Sequence, residues 1–396
     1  VGELLDSSHD TEKLADQLTQ NLSTNEQKIE AIYNWISQNI SWTEKTHYIA
    51  NNDDLYDILE DSEGNSADMS LLLTQLLRDA DIDAWPVMLS TRSNGMLNRN
   101  VPVSSQLNHI VVETEFDGQT IYLDPKYRYR PYNLLALEDL NRMGLKLIDS
   151  DTFEWVIIDS KTVSIRNLMV DAQLHNDGTL EAKADFNFQG YYDVRYRTLA
   201  EEDDLEKRVQ ELFFDDVAGV SIDTVQFISE VDNPSVPIAM RVEYTIEDYA
   251  IVAGDKIFVN PMVIDQMKSN PLKMEDRKYP ISFSFLPNER MMIKLKLPDG
   301  YKLEENIQSR ELKLYGNQGG YKRLAQLRDD GYVLMSVYQL GKTDFEVSEY
   351  KSMKRFFDEM VTLNSEQIVL TKKTESNSSD AEATGTNGEA KEKGEM

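Results

Sequence analysis

Gly64-Asn65-Ser66-Ala67-Asp68-Met69-Ser70-Leu71-Leu72-Leu73-Thr74-Gln75-Leu76-Leu77-Arg78-Asp79-Ala80 is the stretch on which the reading of this chain turns. Glu63-Gly64-Asn65-Ser66 breaks the chain, and a helix is predicted to follow. Met69, Leu72, Leu73, Leu76, Leu77 and Ala80 recur at i, i+3, i+4, i+7, i+8 and i+11, the spacing of a buried helical stripe. Ser66 precedes that stripe, so a plain N-cap is one reading of it. Upstream, Thr24-x-x-Gln27 is a capping-box pattern before Ile29, Ile32, Tyr33, Ile36 and Ile40, and a short helix fits Asp53–Glu60. Downstream the period changes to that of strands. Ala84–Ser90 reads as a strand, and Leu107–Phe116 with Gln119–Leu123 reads as a hairpin across Asp117-Gly118. Helices followed by an antiparallel sheet give an α+β pattern.

From about residue 150 the sequence turns β-rich. Arg166–Leu174 and Thr179–Phe188 flank the turn signal Asn176-Asp177-Gly178. Further strands read at Thr224–Ser229, Ala239–Ile246, Ile251–Val259, Ile281–Leu286, Met291–Leu297, Glu311–Tyr315 and Tyr332–Tyr338. Helical stretches read at Glu201–Phe214 and Glu346–Thr362. Many short strands between turn signals predict one or two β-sandwich-like domains. The predicted division is a core over 1–149, a β-rich domain with a helical insertion over 150–275, a β-rich C-terminal domain over 276–373 and a tail over 374–396. That tail is Ser, Thr, Gly, Glu and Lys with almost nothing apolar, a composition that predicts disorder.

Composition excludes several chemistries. The chain has 396 residues and a formal net charge of −29, a field that repels nucleic acid and anionic lipid. It has no cysteine, which removes disulfides, thiolate metal sites and thiol nucleophiles. With four histidines, a zinc site of the usual N/S type is not expected, and no metal or cofactor is predicted. The acidic run Glu201-Glu202-Asp203-Asp204 lacks the spaced ligands of a calcium loop and reads as a solvated helix start. No apolar run is long enough to be a transmembrane helix. The chain begins at Val1 with no charged-then-apolar leader, so it is expected to be a processed or truncated product.

Three blocks in order carry a resemblance. The first is Gly64-Asn65-Ser66-Ala67-Asp68 with its apolar helix, then Leu76-Leu77-Arg78-Asp79-Ala80-Asp81-Ile82-Asp83-Ala84. The second is Leu107-Asn108-His109-Ile110-Val111-Val112, and the third is Tyr122-Leu123-Asp124-Pro125. Together they resemble the bacterial transglutaminase-like, papain-like superfamily, whose pattern begins Gly-x-Cys-x-Asp and continues to a histidine strand and an aspartate strand. His109 lies 43 residues after Ser66, and Asp124 lies 15 after His109. The resemblance implies a papain-like core over the first third of the chain, with Ser66, His109 and Asp124 at the Cys-His-Asp positions. The remainder is similar to the β-rich region beside this core in envelope proteins of Bacteroidota, which implies a periplasmic or cell-envelope location.

A thiol at a helix N-terminus is activated by the helix dipole and a nearby imidazole. A serine hydroxyl is far less acidic, and its shorter bond withdraws the nucleophile from a base placed for sulfur. The leading expectation is therefore a degenerate triad: a non-catalytic pseudoenzyme acting as a binding or structural module, with a peptide, glycan or protein segment in its cleft. The competing expectation is a serine-dependent amide hydrolase or acyltransferase built on Ser66, His109 and Asp124. In that reading His109 is the base, Asp124 orients it, and backbone N–H groups at the helix start hold an oxyanion. Trp42 is where some relatives supply a further donor. A structural histidine at His109 and an Asp-Pro turn at Asp124 are the plainer alternatives.

Overall fold

The computed structural model describes residues 5, 9–52, 54–101, 103–149, 151–158, 162–215, 217–329 and 331–373. The tail predicted over 374–396 lies outside the described residues.

The chain opens with helices α1 (His9–Thr19) and α2 (Asn25–Asn39), a two-residue strand β1 (Ser41–Trp42), α3 (Leu55–Asp61), its partner strand β2 (Glu63–Gly64) and α4 (Ser66–Asp79). The Thr24–Gln27 capping box at the start of α2 forms as the sequence predicts. Sequence reading puts a stripe on α4, but every residue from Ser66 to Leu77 is buried. The helix is enclosed on more than one side: its residues share one apolar core with Ile29, Ile32 and Ile36 of α2, Leu55 and Ile58 of α3, and Ile110 and Val112 of the following sheet.

That sheet holds β3 (Ala84–Leu89), β4 (His109–Phe116), β5 (Gln119–Leu123), β6 (Arg142–Leu147) and β7 (Phe153–Ile158), all antiparallel, in the order β5-β4-β3-β6-β7. The predicted turn between β4 and β5 has Asp117 at φ 49° and Gly118 at φ 73°, the left-handed pair that a type I′ turn requires. Helices on one side and this sheet on the other make the core α+β.

The β-rich region follows. Its elements are β8 (Val163–Leu174), β9 (Leu180–Phe188), α5 (Tyr191–Arg197), α6 (Leu205–Phe213), β10 (Val220–Phe227), β11 (Ala239–Ile246), β12 (Ile251–Ala253), β13 (Lys256–Val259), β14 (Ile281–Ser282) and β15 (Leu286–Lys296). After them come β16 (Tyr301–Glu305), β17 (Arg310–Lys313), β18 (Gly319–Arg328), β19 (Gly331–Leu340), β20 (Asp344–Phe345), α7 (Tyr350–Asn364) and β21 (Ile368–Lys372). Eight strands form one sheet in the order β10-β11-β9-β8-β15-β19-β18-β17, so strands from both sides of residue 275 share it. A four-stranded sheet, β12-β13-β21-β16, is packed on its inner face: Ile257, Val259, Ile368 and Leu370 join Leu168, Val170, Phe186, Val242 and Leu295 in one core. This is a two-layer sandwich. Helix α7 closes the far end, burying Met353, Phe356, Phe357 and Met360 against Tyr321, Tyr338 and Leu340. The core and the β-rich region meet where Tyr191, Val194 and Phe285 pack on Leu134, Leu135 and Leu140.

Candidate functional site: a closed Ser-His-Asp centre

The fold brings the three predicted residues together. Ser66 is the first residue of α4, His109 opens β4, and Asp124 follows the last residue of β5. All three are buried. Ser66 Oγ is 3.2 Å from His109 Nδ1, and His109 Nε2 is 3.4 Å from Asp124 Oδ2. Tyr33 holds the third block from behind, donating its hydroxyl to the Asp124 carbonyl at 2.9 Å.

Ser66 is not the N-cap that one reading of the sequence gives. Asn65 takes that role, accepting from Ala67 N–H at 2.8 Å and Asp68 N–H at 3.0 Å, while Asp68 returns a carboxylate to Asn65 N–H. The physical reason is one of register. Ser66 already has helical position N1, so its hydroxyl is turned outward, away from the helix's own N–H groups.

What the Ser66 hydroxyl meets instead is the chain segment 43–52, which lies across the start of α4 as a strap. Ser66 O–H donates to the His47 carbonyl at 3.0 Å, and His47 N–H donates to Ser66 Oγ at 2.9 Å. Further along, Asn65 Nδ2 donates to the Ile49 carbonyl, and Asn51 and Asn52 N–H donate to Asp68 Oδ1. The Lys45 carbonyl accepts from Ser66 N–H and from the Trp42 indole Nε1–H, each at 3.2 Å. Two converging N–H donors beside a nucleophile position are the requirement of an oxyanion site. Here both converge on a carbonyl of the chain itself.

The other end of His109 is occupied as well. Lys126 is buried, and its Nζ lies 3.2 Å from His109 Nε2, 3.2 Å from Asp124 Oδ2 and 2.8 Å from Glu138 Oε1. Burial alone would lower the Lys126 pKa, but Asp124, Asp139 and Glu138 together raise it above the ordinary lysine value, so it stays an ammonium. An ammonium has donors only. The tautomer that fits this shorter contact with Lys126 leaves His109 Nε2 as an acceptor and the ring proton on Nδ1, donated to Ser66 Oγ, at the expense of a hydrogen bond from Nε2 to Asp124. Burial lowers the His109 pKa, against the opposing pull of Asp124, and keeps the ring neutral. The Ser66 oxygen thus donates once and accepts twice, which is its full capacity. Its proton points at a carbonyl rather than at a base.

The Asp124 carboxyl would be raised by burial, but Lys126, His109 and Arg130 hold it well below the usual carboxylate range. Asp139 is the opposite case: burial, reinforced by the Asp124 charge, raises its pKa well above that range. Arg130 lies along the Tyr127 ring, with its guanidinium carbon 4.1 Å from the ring centre and NH1 3.9 Å from Asp124 Oδ2. Lys126, Glu138 and Asp139 were not legible as site residues. The available signal was a charged pair, Glu138-Asp139, inside the apolar run Leu134–Leu140.

The chain's relatives can now be set beside this geometry. Residues 12–133 match the family model described as the transglutaminase-like superfamily. Residues 12–133 are a transglutaminase-like core. Residues 255–370 match a second family model, DUF3858, described as a domain of unknown function with a solved structure. A solved structure of a "putative protease" from Parabacteroides distasonis aligns with a TM-score of 0.54 and 14% identity over 93% of this chain. This chain spans 56% of that protein's length, and the likeness establishes a shared fold. A "putative cysteine protease" from Cytophaga hutchinsonii aligns over 40% of this chain and 56% of its own, at 16% identity and a TM-score of 0.27. A search of curated proteins gave no match. The transglutaminase-like core here contains no cysteine.

Proposed function

We propose that the transglutaminase-like core of this chain is a non-catalytic module, a pseudoenzyme whose former active centre braces the fold, and that the protein serves as a structural or binding component of a bacterial cell envelope. The observation that carries this reading is the Lys45 carbonyl seated between Trp42 Nε1–H and Ser66 N–H. A substrate carbonyl needs the same two donors, so it has to compete with the chain's own backbone. Two further features support the reading. The Ser66 proton is committed to the His47 carbonyl, and the Lys126 ammonium faces the nitrogen through which Asp124 would orient the base. A peptide, glycan or protein partner would then engage the outer face of the strap or the β-rich region, because the cleft donors are in use.

The test is an assay of the native chain, Ser66→Ala and Ser66→Cys with a glutamine-containing peptide plus an amine donor, and with simple amides. All three are expected to show no turnover. For Ser66→Cys the thiol is expected to alkylate with iodoacetamide far more slowly in the folded than in the unfolded chain, because the strap covers it. Turnover by the native chain that disappears in Ser66→Ala would overturn the proposal.

The distances of 3.2 Å and 3.4 Å along Ser66–His109–Asp124 favour a second reading, a serine-dependent amide hydrolase or acyltransferase. It requires the strap to lift and the imidazole proton to move to Nε2, which the Lys126 ammonium opposes.

A further inference from the structure

We propose that His109 Nε2 and the carboxylates of Asp124 and Asp139 form a cation site whose resident cation is the Lys126 ammonium, and that a divalent transition-metal ion occupies it once that ammonium is removed. The inference holds whether or not Ser66 is silent, since it concerns the opposite edge of the imidazole.

Three observations support it. First, one ligand atom from each of the three residues lies within 4.8 Å of the others, and all three side chains are fully buried. Second, the spacings fit a small metal. Bonds of about 2.0–2.1 Å at a tetrahedral angle put donor atoms roughly 3.3 Å apart. His109 Nε2 is 3.4 Å from Asp124 Oδ2 and 3.6 Å from Asp139 Oδ1. Third, both Asp139 oxygens are buried without a hydrogen-bond partner, although the group faces His109 and Lys126. A carboxyl buried in that state is costly to ionise unless a cation answers it. Lys126 does so only at a distance: its Nζ is 3.9 Å from Asp139 Oδ1, against 3.2 Å from Asp124 Oδ2. The ammonium sits off the centre of the three ligands, drawn toward half-exposed Glu138.

Charge and ligand type set the class of ion. Once Asp139 gives up its proton to solvent as the ion enters, a neutral imidazole with two carboxylates carries −2 and matches a divalent cation. A mixed nitrogen and oxygen set at tetrahedral spacing suits Zn2+ or Co2+ better than Ca2+, which takes six to eight oxygens at longer range. In the native chain the metal has to displace an ammonium that already satisfies two of the ligands. Native affinity is therefore low, and Lys126 is the residue that makes it so.

The experiment is a titration of the full chain, freed of metal by chelation, with Co2+ followed by its visible d–d absorption and with Zn2+ followed by calorimetry. Lys126→Met is expected to bind one equivalent about a hundredfold or more tighter than the native chain, and to gain at least roughly 3 °C in Tm at about a hundredfold excess of metal over Kd. Lys126→Met with Asp139→Asn is expected to lose at least about tenfold in affinity, the scale on which metal sites respond to lost contacts. Lys126→Arg, which keeps a cation in place, is expected to behave as the native chain. Should Lys126→Met lack native circular dichroism, Lys126→Gln takes its place in the same titration. The proposal is overturned if a folded, uncharged Lys126 variant shows no Co2+ absorption. It is overturned equally if Asp139→Asn leaves affinity unchanged, or if the native chain binds as tightly as Lys126→Met.

Discussion

At the core's centre one side chain, Ser66, ties the strap to the histidine strand through hydrogen bonds. Its hydroxyl holds the strap through His47 and receives the His109 ring proton. Ser66→Ala removes three bonds at once and leaves the His47 N–H without its partner. A loss of about 1–3 kcal/mol is expected in urea denaturation, with no change in any catalytic assay. An unchanged midpoint would show that the hydroxyl braces nothing. At this scale the sequence was legible for the three residues that occur in ordered blocks. It marked Asp139 only as half of a charged pair in an apolar run and was silent on Lys126; both matter because they are folded against His109 from 30 and 17 positions away. No local pattern marks a lysine directly after an Asp-Pro pair as a buried counter-ion.

Among the elements, the start of α4 and the strap above it act as one unit. Asn65 caps the helix and ties down the Ile49 carbonyl, while Asp68 closes the capping box and receives Asn51 and Asn52. Asn65→Ala is expected to cost about 1–2 kcal/mol through the lost cap. It is also expected to speed proteolytic nicking within 44–52, read by mass spectrometry of the fragments; nicking elsewhere first would separate cap from strap. Helix α4 and both Gly-containing hairpins, at Asp117-Gly118 and Asp177-Gly178, were readable because their signals are local. Strand β6 was not. Its Gly144 breaks the apolar alternation, yet a Cβ there would come within 2.5 Å of Val87 Cγ1, so close packing demands the glycine. Helix α5 was missed because Tyr191-Tyr192-Asp193-Val194-Arg195-Tyr196-Arg197 has the composition of a strand. Tertiary contacts decide it: Asp193 and Arg197 form a buried i,i+4 ion pair, and Arg197 also donates to the Glu230 and Val236 carbonyls. Strand β18 shows the reverse, since Leu324-Ala325-Gln326-Leu327-Arg328 suits a helix but is held as a strand by its pairing with β19.

For the molecule as a whole, the informative cluster is at the middle of the eight-stranded sheet. Arg166 on β8 meets Glu289 on β15 and pairs with Asp265 at 2.7 Å, with Tyr192 donating to Glu289. Two carboxylates share one guanidinium. Burial pushes the Asp265 carboxyl up, Arg166 opposes this, and Glu289 adds to it. A group whose pKa is raised on folding contributes most below its unfolded value, and that contribution is lost as pH rises through the folded value. Asp265→Asn is therefore expected to lower stability more at pH 5 than at pH 7.5, measured by urea denaturation at both. An equal cost at the two pH values would refute the assignment. The sandwich architecture was readable from many short strands. The joining of strands across residue 275 was not, because pairing partners that far apart leave no local trace.

The parallel contact between β8 and β15 is the one place where the eight-stranded sheet departs from antiparallel neighbours, and its partners Arg166 and Glu289 are 123 residues apart. Distant pairings of this kind are slow to form, because a long loop has to close before any contact rewards it. On a ribosome adding about 5–20 residues per second, β8 through β11 would wait for β15 with the β8 backbone edge unpaired, and for β16 and β21 with the Val170 side of the sheet only partly covered. That interval, rather than the finished fold, is when this chain most needs protection from self-association.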